Sequence, residues 1–151
     1  MGMRTSRPKT PVIYEASTAF RIGGSHTVRS SAADKVTLVG AGITLFECLG
    51  AYDTLKAQGI AARVIDLYSL QPIDTATLQK AAKETGLIVT VEDHYPAGGI
   101  GESVMNAVAP IGGKVHQIAV RELPRSGRPE ELIDKYGLSA RHIVEAVKAL
   151  L

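Results

Sequence analysis

Residues 36 to 67, VTLVGAGITLFECLGAYDTLKAQGIAARVIDL, decide the architecture. VTLVG (36 to 40) is a short apolar run of strand length, and Gly40-Ala41-Gly42 follows it as a tight turn. Leu45, Cys48, Leu49, Tyr52 and Leu55 then recur at helical spacing until Gly59 stops the pattern, and a second apolar run begins at Ala62 and ends at Leu67. Thr44 and Glu47 have the spacing of a capping box, which predicts that their side chains satisfy free N–H groups at the start of this helix. The whole reads as strand, crossover helix, strand.

The alternation continues outward. A helix is predicted over about Asp74 to Glu84 with a stop at Gly86, then a strand Leu87 to Glu92. After a glycine-rich loop come a helix of about Glu102 to Val108, a turn at Pro110 to Gly113 and a strand Val115 to Val120. Two helices, Pro129 to Lys135 and Ser139 to Leu150, close the chain. Residues 1 to 33 differ: Pro8, Pro11 and Gly23-Gly24, with short alternating flanks, predict an extended junction ending in a hairpin or edge strand. The reading is an α/β fold, a three-layer α/β/α sandwich. Its five-stranded sheet is mainly parallel with one antiparallel edge strand, and residues 34 to 151 form its domain.

Composition narrows the function. The chain has 151 residues, 45% hydrophobic and 21% charged, which suits one packed domain and not a disordered segment. Its 17 Lys and Arg are scattered and the net charge is +2, with only seven Phe and Tyr and no Trp, so no nucleic-acid surface is expected. One cysteine, Cys48, excludes an internal disulfide, which suits a reducing, cytoplasmic setting, and no segment is apolar enough to span a membrane. Gly2 and Ser6 fit the N-myristoylation pattern M-G-x-x-x-S, although a cloning-derived Met-Gly start is the simpler explanation.

In a parallel sheet, ligands usually bind where the strands end. That edge collects Gly40 to Gly42, Leu67 to Ser69, Arg121-Glu122 and VEDHYPAGGIGE (91 to 102). The last stretch places Glu92, Asp93 and His94 beside Gly98, Gly99 and Gly101. If the strand runs on this far, Glu92 and His94 face one side and Asp93 the other, so the carboxylates do not form a pair. The glycines permit two readings: a backbone turn packed on a neighbour, or an anion cradle at a helix start that Glu102 already occupies. Val39-Gly40-Ala41-Gly42 lacks the third glycine and the acid of a dinucleotide fingerprint, Asp66 lying 26 residues after Gly40. His26, His94, His116 and His142 share no metal-ligand spacing; Cys48 reads as core, and Arg121, Arg125 and Arg128 as a solvated loop.

RTSRP (4 to 8), VTLVGAGITL (36 to 45), ARVIDLYSLQPID (62 to 74), VEDHYPAGGIGESV (91 to 104) and VRELPRSGRPEELIDKYGLS (120 to 139) together carry a resemblance. From Arg4 to Leu151 the sequence resembles the C-terminal domain of transketolase. The resemblance implies a structural and assembly role in an enzyme that moves a two-carbon ketol unit between sugar phosphates in the pentose phosphate pathway. It implies thiamine diphosphate and a divalent metal, magnesium or calcium, held by the pyrophosphate-binding and pyrimidine-binding domains and not by this chain. Those domains and a homodimer mate would be its partners, with Glu92, Asp93, His94, Gly98, Gly99 and Gly101 at the contact edge. It also implies that Arg7, in SRP, holds the sugar phosphate, with Arg4 as the nearby competitor. A start inside the family's junction segment suggests an engineered piece, a degradation product or one part of a split enzyme. The expectation from a different class is a free-standing regulatory module holding a phosphometabolite or nucleotide at Gly40 to Gly42 and Gly98 to Gly101.

Overall fold

Five strands and five helices alternate in the computed structural model, which describes residues 2–151. Met1 of the M-G-x-x-x-S pattern lies outside the described residues. The elements are β1 (His26–Arg29), β2 (Val36–Gly40), α1 (Ile43–Ala57), β3 (Ala62–Asp66), α2 (Thr75–Thr85), β4 (Ile88–Val91), α3 (Ile100–Val108), β5 (Val115–Ile118), α4 (Pro129–Lys135) and α5 (Ala140–Leu150). A 3-10 turn, Ala109–Ile111, follows α3.

The sheet order is β1-β3-β2-β4-β5, with β1 antiparallel to β3 and every other pair parallel. Because side chains alternate along a strand, each central strand feeds two cores. Val36 and Leu38 of β2 and Val89 and Val91 of β4 face α1 and α5, meeting Leu45, Cys48, Leu55 and Ile143. Val39, Ile65 and Ile88 face the other way, onto Leu78 of α2 and Val104 of α3. The three-layer sandwich with one antiparallel edge strand is therefore as read from the sequence. Cys48 is fully buried, and burial pushes its thiol well above the usual range, so it fills the core.

One local reading narrows and another needs correction. Of the two alternatives for the end of residues 1 to 33, the edge strand forms as β1 and the hairpin does not: Phe20 to Ile22 lies outside any strand, and β1 pairs with β3, 40 residues downstream. The capping box is absent. The Thr44 hydroxyl donates to the Ala41 carbonyl at 3.0 Å, and Glu47 turns away to accept the Ala140 N–H at 2.8 Å. Glu47 thus caps α5, joining two helices 93 residues apart in sequence. A T-x-x-E spacing specifies a carboxylate near a helix start, but not which helix start that is.

Candidate functional site: the carboxyl edge of the sheet

The order β1-β3-β2-β4-β5 reverses direction between β2 and β4, so the loops leaving these two strands diverge and open a crevice. Ala41 to Ile43, after β2, and Gly98 to Ile100, before α3, both line it. Residues 2 to 6 and 20 to 22 close it from outside, giving a cleft of about 980 Å³ whose walls include Arg4, Arg21, Ser69 and Asp93. The sequence-predicted glycines do converge.

Glu92 decides what the glycines do. It is 1% exposed, and its carboxylate accepts the Ile100 N–H at 2.6 Å, the Gly101 N–H at 3.0 Å and the Gln117 amide at 2.8 Å. The chain places its own anion on the α3 N-terminus, where free N–H groups and the helix dipole favour negative charge. Glu102 has a smaller part, accepting the Gly98 N–H at 2.5 Å. The main occupant of the helix start is therefore Glu92 rather than Glu102.

The glycines are needed for two different reasons. Gly98 has φ +75°, the left-handed region that side chains rarely adopt. Gly99 has φ −112°, an ordinary extended value, but a Cβ there would overlap the Glu92 carboxylate and sit 3.1 Å from His94 Nδ1. A Cβ at Gly101 would overlap Gln117 in the same way. Gln117 also donates to the Pro96 carbonyl at 2.8 Å, so one amide on β5 holds both Glu92 and the loop. Its only mark in the sequence is a polar residue inside the apolar run VHQIAV.

The neighbouring candidates separate. β4 ends at Val91, and His94 is exposed with Nδ1 2.8 Å from the Tyr95 carbonyl oxygen. Asp93 leaves the strand and receives Arg4 Nη2 at 3.0 Å, while Arg7 is exposed and makes no ion pair among the described residues. His116 is exposed on β5, and His142, on α5, meets the Ser139 hydroxyl at 2.8 Å. Among the described residues, no group of three or more His, Cys, Asp or Glu could hold a metal ion.

A partly buried aromatic cluster that the sequence did not announce lies at the end of β3. The Tyr14 hydroxyl donates to Asp66 at 2.7 Å, and Tyr14, Phe20 and Tyr68 surround the His26 ring with centroids 4.9 to 5.2 Å away. Burial raises the Asp66 carboxyl above its usual range, against the opposing effects of the Tyr14 hydrogen bond and of His26. A carboxyl raised on folding contributes stability below its unfolded pKa, about 4, and loses that contribution as pH rises through the folded value. Asp66→Asn, which keeps an acceptor for Tyr14 but cannot ionise, should therefore gain on the parent as pH rises from 4 to 7. Urea denaturation at the two pH values checks this; a difference between the two proteins that does not change with pH would contradict it.

Residues 25–143 match the family model described as Transketolase, C-terminal domain. The chain belongs to the transketolase C-terminal domain family. Transketolase-like protein 1 of Bos taurus is 52% identical over 151 residues, and transketolase-like protein 2 of Mus musculus is 54% identical over 148 residues. These alignments cover 99% and 97% of the chain but 25% and 24% of the relatives, so the transketolase domain spans about a quarter of their length. Among solved structures, a split-gene transketolase described as an inactive beta4 tetramer superposes with a TM-score of 0.86 and 35% identity. That match covers 92% of this chain and 46% of the other.

Proposed function

We propose that this chain is the C-terminal assembly domain of a transketolase, a transferase that moves a two-carbon ketol unit between sugar phosphates of the pentose phosphate pathway. Residues 34 to 151 are the domain and residues 1 to 33 the junction that leads into it. The observation that carries the reading is Glu92. In a domain that bound a diphosphate at its glycine loop, the α3 N-terminus would be open; here an internal carboxylate fills it.

Thiamine diphosphate and its metal do not fit this edge. A diphosphate–metal pair needs free N–H donors and free oxygen ligands. Glu92 has spent its carboxylate on α3 and Gln117, and Asp93 has spent one oxygen on Arg4. The cofactor and its magnesium or calcium ion therefore belong to the pyrophosphate-binding and pyrimidine-binding domains of the longer enzyme. Those domains and a homodimer mate are the partners of the carboxyl edge, where Phe20, Ile22, Leu70 and Tyr95 stand 40 to 70% exposed. Asp93, His94 and the Gly98–Gly101 turn belong to the same contact. The same filled helix start counts against a free-standing phosphometabolite or nucleotide module, because half of its expected site is taken.

Among the described residues, no helix is long and apolar enough to cross a membrane. With one buried cysteine, that supports a place in the cytoplasm. Arg7 is the substrate contact of this chain: its planar fork suits a phosphate, and it is exposed and makes no ion pair among the described residues. Calorimetric titration of the 151-residue chain with thiamine diphosphate and magnesium should give no saturable heat and the chain no ketol transfer. Micromolar saturable binding would overturn the reading.

A further inference from the structure

Arg7 lies between two fastened points. Arg4 Nη2 contacts Asp93 twice, the carboxylate at 3.0 Å and the backbone carbonyl at 3.3 Å. Ten residues later, the Tyr14 hydroxyl donates to Asp66 at 2.7 Å, and its ring packs 5.0 Å from Phe20 and 5.2 Å from His26. Asp93 follows β4 and Asp66 ends β3, the two strands flanking β2. The segment is therefore tied at its two feet to the ends of the strands that flank β2.

Between these feet residues 5 to 12 form an exposed arch, bent at Arg7-Pro8, whose later part, Thr10 to Ile13, runs beside Gly42, Leu45 and Phe46 at the start of α1. Pro8 limits the backbone at this bend. Exposed and with no ion pair of its own among the described residues, the Arg7 guanidinium takes its approach direction from the tied segment.

We propose that Asp93 and Asp66 are positioning residues for Arg7: through Arg4 and Tyr14 they pin the arch that presents its guanidinium to the phosphate of a sugar substrate. The inference rests on the reading of Arg7 as the phosphate contact. It gives Asp93, half-buried and outside any catalytic pair, a task that neither the turn nor the helix start explains. The Asp93 foot is the weaker, because it is an ion pair open to solvent and screened by it, while the Tyr14 foot is partly buried and ring-packed.

The test has two arms. On the 151-residue chain, spin labels at Arg7→Cys and Lys148→Cys report the position of the arch, since buried Cys48 is protected from labelling. Asp93→Ala and Tyr14→Phe should each broaden the distance distribution, and Asp93→Glu should narrow it again; unchanged distributions would overturn the proposal. In the longer enzyme, kinetics compare a pentose 5-phosphate with the free pentose. Arg7→Ala should raise KM for the phosphate about tenfold and Asp93→Ala about threefold, with kcat and the free pentose unaffected. A KM raised by Arg7→Ala but not by Asp93→Ala would overturn the positioning role. A KM raised by neither variant, with the distributions still broadened, would instead overturn the reading of Arg7.

Discussion

Gly99→Val should lower the stability of the chain by about 3 kcal/mol, because the new Cβ occupies space held by the Glu92 carboxylate. The backbone at Gly99 is extended and accepts a β-branched residue, so the cost is not conformational. It comes from expelling a buried carboxylate that is 1% exposed from the N–H groups of Ile100 and Gly101. Domains of this size are stable by only about 5–15 kcal/mol, so the loss is a large fraction of the total. Urea denaturation, read as a midpoint shift at constant slope, measures it. A loss below about 0.5 kcal/mol would show that the carboxylate can move aside freely.

Removing the carboxylate should cost a similar amount. Glu92→Ala leaves two buried backbone donors and the Gln117 amide without their shared acceptor, and each hydrogen bond to a charged group contributes about 1.5–3 kcal/mol. The contributions overlap, so a total loss of about 3 kcal/mol is expected. Glu92→Gln should fall between the parent and alanine, since its amide retains one acceptor but points an N–H₂ group at a donor. The two sites also predict a coupling. In the Glu92→Ala background, Gly99→Val should cost much less than in the parent, because the group it displaces is gone; additive losses would refute the displacement account.

Some of this was legible in the sequence. Apolar runs of four or five residues alternating with helical stripes gave the layers and sheet type, because both faces of a parallel sheet must be covered and its strands are apolar throughout. VTLVG and ARVID are each wholly buried, and ARVID departs from the apolar pattern at Arg63, paired with Asp34 and Glu84, and at Asp66, bonded by Tyr14. The family wording of VEDHYPAGG located the edge that mattered. What stayed hidden depends on contacts across long stretches of chain. Glu92 reaches α3 across an eight-residue loop, Gln117 arrives from β5, and Glu47 caps a helix 93 residues away. Local spacing assigned the α3 start to Glu102 and the capping box to Glu47 because it weighs only neighbours in sequence. The Tyr14, Phe20, His26 and Tyr68 cluster was invisible for the same reason, joining the junction segment to the end of β3.

The proposed function has this domain assembling a transketolase without holding its cofactor. Sedimentation of the longer enzyme, with and without the residues of this chain, tests it most directly when cofactor affinity is measured on the same samples. The account predicts that removal weakens dimerisation at least tenfold while the remaining domains, held at concentrations where they associate, still bind thiamine diphosphate. Unchanged dimerisation with lost cofactor affinity would contradict it.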